Sequence, residues 1–325
     1  MNRKISRRQW LAGSIAAAGA AGLASCKRER PPAPSRVSIV RAPAYDQRLY
    51  EAVRRLLEEH QVDVRGRHVV LKPNLVEFEP GSSINTNPLL VHAALEAFRS
   101  RGAASIQIAE GPGHRRNTLD LAEAAGYFGI VPRFEELFQD LNLDEVTRVR
   151  PSRPFSRLDK LYLPNTALRA GLLVSMPKMK THHWVGATLS MKNLFGVVPG
   201  GVYGWPKNVL HWAGITESIA DLHSVFPRQF AIVDGIVGMQ GNGPIEGVAK
   251  YAGVVVAGSD PVAVDATCCR IMRIDPYQIG YLRLAIGGVE AQISEQNIRQ
   301  SGEAISAVAT PFDLISDFQG IRLNS

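Results

Sequence analysis

Short polar runs, each directly behind a β-branched stretch, carry most of the groups in this sequence that could do chemistry. Lys72-Pro73-Asn74 follows the run ending at Leu71, Glu110-Gly111-Pro112-Gly113-His114 follows Ala109, and Pro177-Lys178-Met179-Lys180-Thr181-His182-His183 follows Ser175. Asp234-Gly235 follows Val233, and Gly258-Ser259-Asp260 follows Ala257. Lys72, Lys178, Lys180 and, farther on, Lys192 offer point charges to phosphate or carboxylate. Glu110, Asp234, Asp260 and Asp265 are hard oxygen donors of the kind Mg²⁺ or Ca²⁺ takes. His114, His182 and His183 add proton transfer near neutral pH. Together they predict a site for a small anion, with or without a divalent metal. If 178–183 is extended, Lys178, Lys180 and His182 share one side and His183 faces the other.

Several of these residues have an equally direct structural reading. Asp260-Pro261 before an apolar segment has the form of a helix cap followed by proline at the first helical position. Asp265 falls inside that helix among apolar residues, where a carboxylate needs a partner, ligand or protein. Four glycines in nine residues, Gly235, Gly238, Gly241 and Gly243, let backbone N–H groups approach a ligand, with Gly241 and Gly243 the candidate contacts; the alternative is a wide turn. The spacing is neither a Walker A loop nor a GxGxxG fingerprint. Gly196, Gly200, Gly201 and Gly204, behind Lys192-Asn193-Leu194-Phe195, suggest a lid or a loop without function.

To bring such runs together, the elements before them must share a sheet. Strand-like stretches at 37–40, 68–71 and 105–109 alternate with helical ones beginning near Asp46, at Asn87-Pro88 and near Thr118; Leu49, Val53, Leu56 and Leu57 fall on one face of the first. Buried strands are expected at 171–175, 230–233 and 253–257, and a helix with Trp212, Ile215, Ile219, Leu222 and Phe226 on one face. The pattern is poor between about 128 and 170, which reads as an insertion or a sheet edge. This alternation predicts an α/β fold: a mostly parallel or mixed sheet flanked by helices, as one domain or two closely joined lobes. Five polar loops would then converge on the carboxyl rim, where open sheets bind ligands.

At the N-terminus, Ser6-Arg7-Arg8-Gln9-Trp10-Leu11 precedes an Ala/Gly-rich run of about 13 residues, too short and too weakly apolar to span a bilayer. The pattern resembles a twin-arginine export signal, with the twin-arginine translocase as partner. Leu23-Ala24-Ser25-Cys26 resembles a lipobox whose cysteine takes the lipid; cleavage by the ordinary signal peptidase is the alternative. The expected organisation is a signal over 1–26, a proline- and charge-rich tether over 27–36 and an α/β body over 37–325, exported to the periplasmic or cell-envelope side and membrane-anchored if Cys26 is lipidated. The net charge of +7 falls to +3 without Arg3, Lys4, Arg7 and Arg8, and no dense basic stripe argues for nucleic acid. Beyond Cys26 only the neighbours Cys268 and Cys269 remain, too few for an iron–sulfur cluster or a four-thiolate zinc site, and more simply buried small residues.

Lys72-Pro73-Asn74, the run 177–182, Met191-Lys192-Asn193-Leu194-Phe195-Gly196, Asp234-Gly235-Ile236 with Gly241-Asn242-Gly243-Pro244, and Ser259-Asp260-Pro261-Val262-Ala263-Val264-Asp265, in that order, resemble the domain of unknown function 362 family. The resemblance marks Lys72, Asn74, Lys178, Lys180, His182, Lys192, Asn193, Asp234, Asp260 and Asp265 as matching positions without assigning roles. Fused ferredoxin-like modules in some members imply redox chemistry, which the cysteine count here weakens.

The expected function is an exported enzyme that binds a small anionic substrate or cofactor at the strand-end crevice. Its catalytic candidates are His182, Lys180 and Lys192; Lys72, Asn74, Lys178, Asn193, Gly241 and Gly243 are the binding candidates; Asp234, Asp260 and Asp265 are the candidates for a divalent metal. The rivals are a lipid-tethered binding protein without catalysis and a structural envelope protein.

Overall fold

The computed structural model describes residues 34–285 and 292–323. The signal, lipobox and most of the tether expected over 1–36 lie outside the described residues.

Eight strands form the main path of the sheet: β1 (Ser35–Arg41), β2 (His68–Pro73), β3 (Ser105–Glu110), β4 (Phe138–Asp140), β7 (Leu172–Met176), β10 (Gln229–Gln240), β11 (Val248–Gly258) and β12 (Ile298–Gly302). Their spatial order is β12-β1-β11-β10-β7-β2-β3-β4. Neighbours pair in parallel except at β11, which is antiparallel to both β1 and β10. β8 (Lys178–His182) branches off β10, with β9 (Gly186–Thr188) paired to it. β5 (Val146–Val149) and β6 (Leu161–Pro164) make a separate ribbon in the segment whose pattern was poor, and β4 there is the sheet edge.

Both faces of the sheet are covered. Val254 and Val256 of β11 and Val70 of β2 pack into one core, while Val255, Ala257, Val69 and Leu71 pack into another on the opposite face. Near-continuous apolar strands are the sequence signature of a sheet buried on both sides. α1 (Arg48–Glu59) buries Leu49, Val53, Leu56 and Leu57, as its spacing predicts. α2 (Pro88–Ser100) starts where Asn87 accepts the Leu89 N–H, and α3 (Thr118–Ala124) is capped by Asn117. Between β9 and β10 lie α4 (Ser190–Asn193) and α5 (Asn208–Val225); α6 (Pro261–Ile271) follows β11.

Three expectations need correction. Asp234 is not in a loop behind a short strand: β10 and β11 form one long hairpin, and Asp234 and Gly235 lie in mid-strand. Trp212 is not on the buried face of α5 but 72% exposed. Gly214, with φ 110° and ψ 106°, breaks that helix, so the apolar period cannot run through it. The glycine loop after Phe195 is not an open lid. It folds as a 3-10 turn (Leu194–Val197) and a helical turn (Gly200–Tyr203), with Val198, Pro199 and Gly200 buried.

Candidate anion site

Where β2 and β3 end, Lys72 and Glu110 form a buried ion pair with Nζ to Oε2 at 2.5 Å. Lys72 also donates to Pro73 O (2.9 Å) and Asn193 Oδ1 (3.1 Å). All three of its N–H groups are therefore committed inside the protein. Burial pushes its ammonium pKa down and the Glu110 carboxylate holds it up. Asn193 in turn donates to Lys72 O (3.0 Å) and Ser175 Oγ (3.1 Å). The ordered run Met191-Lys192-Asn193 is thus tied to two strand ends by side-chain amide bonds.

Its other end is held by α6. Asp265 accepts the Ser190 N–H at 2.8 Å, the Met191 N–H at 3.0 Å and the Ser190 hydroxyl. Burial raises the Asp265 carboxyl pKa to about 7, against the pull of these donors. Gly196 closes the arrangement, because a Cβ there would overlap Glu110 Oε1 and Lys72 Nζ. Gly196→Ala is expected to cost about 1–3 kcal/mol in urea unfolding, the usual penalty of overpacking; an unchanged midpoint would mean that the pair is free to move.

Above this frame opens a cavity of about 420 Å³. Lys180, Lys192 and Lys207 line it, with His114, His182, His183 and His211, against Glu110 and Glu246. Lys180 donates to Ile84 O (2.9 Å) and Pro244 O (3.1 Å), and Lys207 to Gly111 O (2.6 Å) and Phe195 O (2.7 Å). Each keeps one of its three N–H groups unused by these bonds. The Lys192 Nζ stands 4.0 Å from the centre of the Phe195 ring and has no hydrogen-bond or ion-pair acceptor among the described residues. Burial, and then the Lys72 charge, bring the Lys192 pKa down to about 7. Lys207 is also brought down to about 7, chiefly by burial, and Lys180 well below its ordinary value by burial and the neighbouring lysines.

His182 accepts the Trp184 N–H on Nδ1 at 3.0 Å. Burial and Lys192 push its pKa well below the ordinary value, so the ring is neutral and carries its proton on Nε2. Of the proton-transfer roles expected of it, this arrangement leaves the cavity a donor, the Nε2–H, while Nδ1 is occupied. Burial likewise lowers His211 to about 4. Asn74 and Thr188, 6% and 4% exposed, also line the cavity; their Oδ1 and Oγ1 are buried and have no hydrogen-bond partner among the described residues, which is costly for either group.

The structure therefore brings Lys180, His182, Lys192, Asn74 and Asn193 to one cavity. The binding role expected of Lys72 is corrected, since its donors are used up and it stands behind the wall. Lys178 also departs from expectation. Its Nζ bonds Asp234 (2.7 Å) and the Tyr45 hydroxyl (2.9 Å) and faces a separate 270 Å³ hollow. The reason is a register shift: five residues of β10 separate the partners of Lys178 and Lys180, so these two lysines diverge although they alternate correctly along β8. Gly241 and Gly243 donate their N–H groups to Asp313 O (2.8 Å) and Gly241 O (2.9 Å) and cradle no anion.

The metal set Asp234, Asp260 and Asp265 does not assemble. Asp234 is taken by Lys178, Tyr45 (2.8 Å) and the Asn87 N–H (2.9 Å), and Asp265 by Ser190 and Met191. Asp260 caps α6, accepting from Val262 and Ala263. Because β11 runs antiparallel, its carboxyl end and Asp260 lie on the opposite rim of the sheet. Among the described residues no group of three or more His, Cys, Asp or Glu is arranged to hold a metal. Cys268 and Cys269 are buried thiols in α6.

Lys207, His211 and Thr188 belong to the site and were not singled out in the sequence. Lys207 is the left-handed residue that caps α5, and His211 stands one turn into the helix with its Nδ1 3.1 Å from Lys207 O. The signal in reach was a lysine and a histidine at helical spacing directly after Gly204-Trp205-Pro206.

The family described as "Domain of unknown function (DUF362)" matches residues 69–270. Thylakoid-associated protein sll1697 of Synechocystis sp. is 28% identical over 254 residues, which cover 75% of this chain and 76% of that protein. The lactate racemase apoprotein of Thermoanaerobacterium thermosaccharolyticum superposes with a TM-score of 0.45 at 17% identity, over 77% of this chain and 59% of that one.

Proposed function

The chain belongs to the domain of unknown function (DUF362) family, and from that premise we propose that it is an enzyme whose strand-end cavity binds a small anion. One observation carries the reading: Lys180, Lys192 and Lys207 line one cavity, and none of the three is ion-paired among the described residues. The lysines supply charge-assisted donors in a site of low dielectric, and the His182 Nε2–H adds a neutral one. Lys192, near neutrality and without an acceptor, is the proton-transfer group in place of His182. Lys72 and Asp265 hold that lysine in position from behind the wall, while Glu110, Asn193 and Gly196 support it and also line the cavity.

The test is native mass spectrometry of protein purified from its own host, with inorganic phosphate added to any fraction that emerges empty. One anion per chain on the wild type, lost in Lys192→Met/Lys207→Met, is the expected result. Equal occupancy in both would sink the reading, and binding without turnover of any anion tested would favour a capture protein.

We also propose export through the twin-arginine route with lipid attachment at Cys26, supported by Arg7-Arg8 and the Leu-Ala-Ser-Cys run. Replacing Arg7 and Arg8 together by lysine is expected to leave full-length precursor in the cytoplasmic fraction, and Cys26→Ala to release the processed protein from membranes. An unchanged distribution in either variant contradicts the corresponding half.

A further inference from the structure

We propose that Lys192 is a nucleophile that condenses with the carbonyl carbon of a short 2-oxo carboxylate held in the cavity; this rests on the anion-site reading and names its substrate class. An amine that forms an imine needs a nitrogen free of strong acceptors, an approach path, and a neighbour that anchors the substrate. The Lys192 Nζ meets the first condition. Among the described residues it has no hydrogen-bond or ion-pair acceptor, and the face of Phe195, 4.0 Å away, holds it by a cation–π contact that uses none of its N–H groups. The cavity supplies the path. Lys180, pinned by two backbone carbonyls with one N–H left, supplies a fixed donor for a carboxylate and the His182 Nε2–H a second, while Lys207, pinned the same way, keeps its one remaining N–H for the reacting oxygen.

In the step, the Lys192 lone pair attacks the carbonyl carbon as the C=O π pair moves to oxygen. That oxygen takes the proton released by the attacking nitrogen, giving a neutral carbinolamine. The C–O bond then breaks, oxygen leaves as water after receiving a proton from the Lys207 ammonium, and the nitrogen pair forms C=N. One water is released for each imine, with no change of oxidation state.

The groups that set the charge on Lys192 are Lys72 and Glu110 behind it and Lys180, Lys207, His182 and His211 around it. They leave a large neutral fraction near pH 7; because the step needs Lys192 neutral and Lys207 as ammonium, each with a pKa of about 7, adduct formation should be fastest near pH 7 and about threefold slower at pH 6 and at pH 8. Anion binding, which needs the ammonium, should weaken over the same range.

The experiment incubates full-length wild-type protein with pyruvate or glyoxylate, traps with sodium borohydride, and maps the adduct by peptide mass spectrometry. Phosphate titration is run in parallel. One reduced adduct per chain on Lys192, formed fastest near pH 7 and suppressed by phosphate, is the expected result, with Lys192→Met giving none and Lys160→Met, an exposed control, giving the wild-type yield. An adduct spread over surface lysines, or located on Lys180 or Lys207, overturns the assignment. No adduct although phosphate binds overturns this inference alone, while neither adduct nor phosphate binding overturns the anion site as well. Because mapping uses the wild type, the test survives a variant that fails to fold.

Discussion

Lys72→Ala is expected to lose about 3–5 kcal/mol of unfolding free energy, the cost of stranding one member of a buried ion pair. The partner left behind is Glu110. Its Oε2 would keep the Leu75 N–H (3.1 Å) and its Oε1 the Gly111 N–H (2.9 Å), but no bonded countercharge. Pro73 O and Asn193 Oδ1 lose their donor at the same time. Urea unfolding measures the loss as a lower midpoint at constant slope. The double substitution Lys72→Met/Glu110→Leu should recover much of it, because removing both charges also removes the desolvation cost. A loss below about 1 kcal/mol for the single change would place the pair in contact with water, as exposed pairs are.

The second large effect concerns affinity. At pH 6, Lys192→Met and Lys207→Met should each weaken phosphate binding about 10- to 100-fold, since a hydrogen bond to a charged group is worth about 1.5–3 kcal/mol and 1.4 kcal/mol is tenfold. Raising the pH through 7 should reproduce part of this loss in the wild type, as Lys192 and Lys207 release their protons there. Stability of the free protein moves the opposite way. Each folded lysine has a pKa of about 7 against 10.5 unfolded, so the unfolded chain holds more protons between those values and stability rises with pH in that window. Lys192→Met should flatten that rise. Calorimetry and thermal unfolding across pH 6 to 9 measure both.

Much of this was legible in the sequence because strands buried on both faces leave a strong mark. The apolar runs before Lys72, Glu110 and Lys178 located real strands, and the polar residues behind them did gather at one rim. Chain direction was not legible. Nothing in 248–258 reveals that this strand returns antiparallel from β10, and that one reversal sends Asp260 to the far rim. The fate of each lysine was equally hidden. Lys72, Lys178 and Lys192 look alike in sequence, yet two are consumed by carboxylates and one faces the cavity; the difference lies in Glu110 and Asp234, which sequence separation does not reveal. Gly214 broke the helical period that would have placed Trp212, and Lys207 and His211 entered the site from beyond a glycine-rich turn.

Calorimetric titration of the wild type and of Lys192→Met/Lys207→Met with inorganic phosphate at pH 6 tests the anion site most directly. One site per chain in the wild type, weakened in the variant by more than either single change alone, is the result the account predicts. No phosphate binding at millimolar concentration, or the same affinity in both proteins, would contradict it.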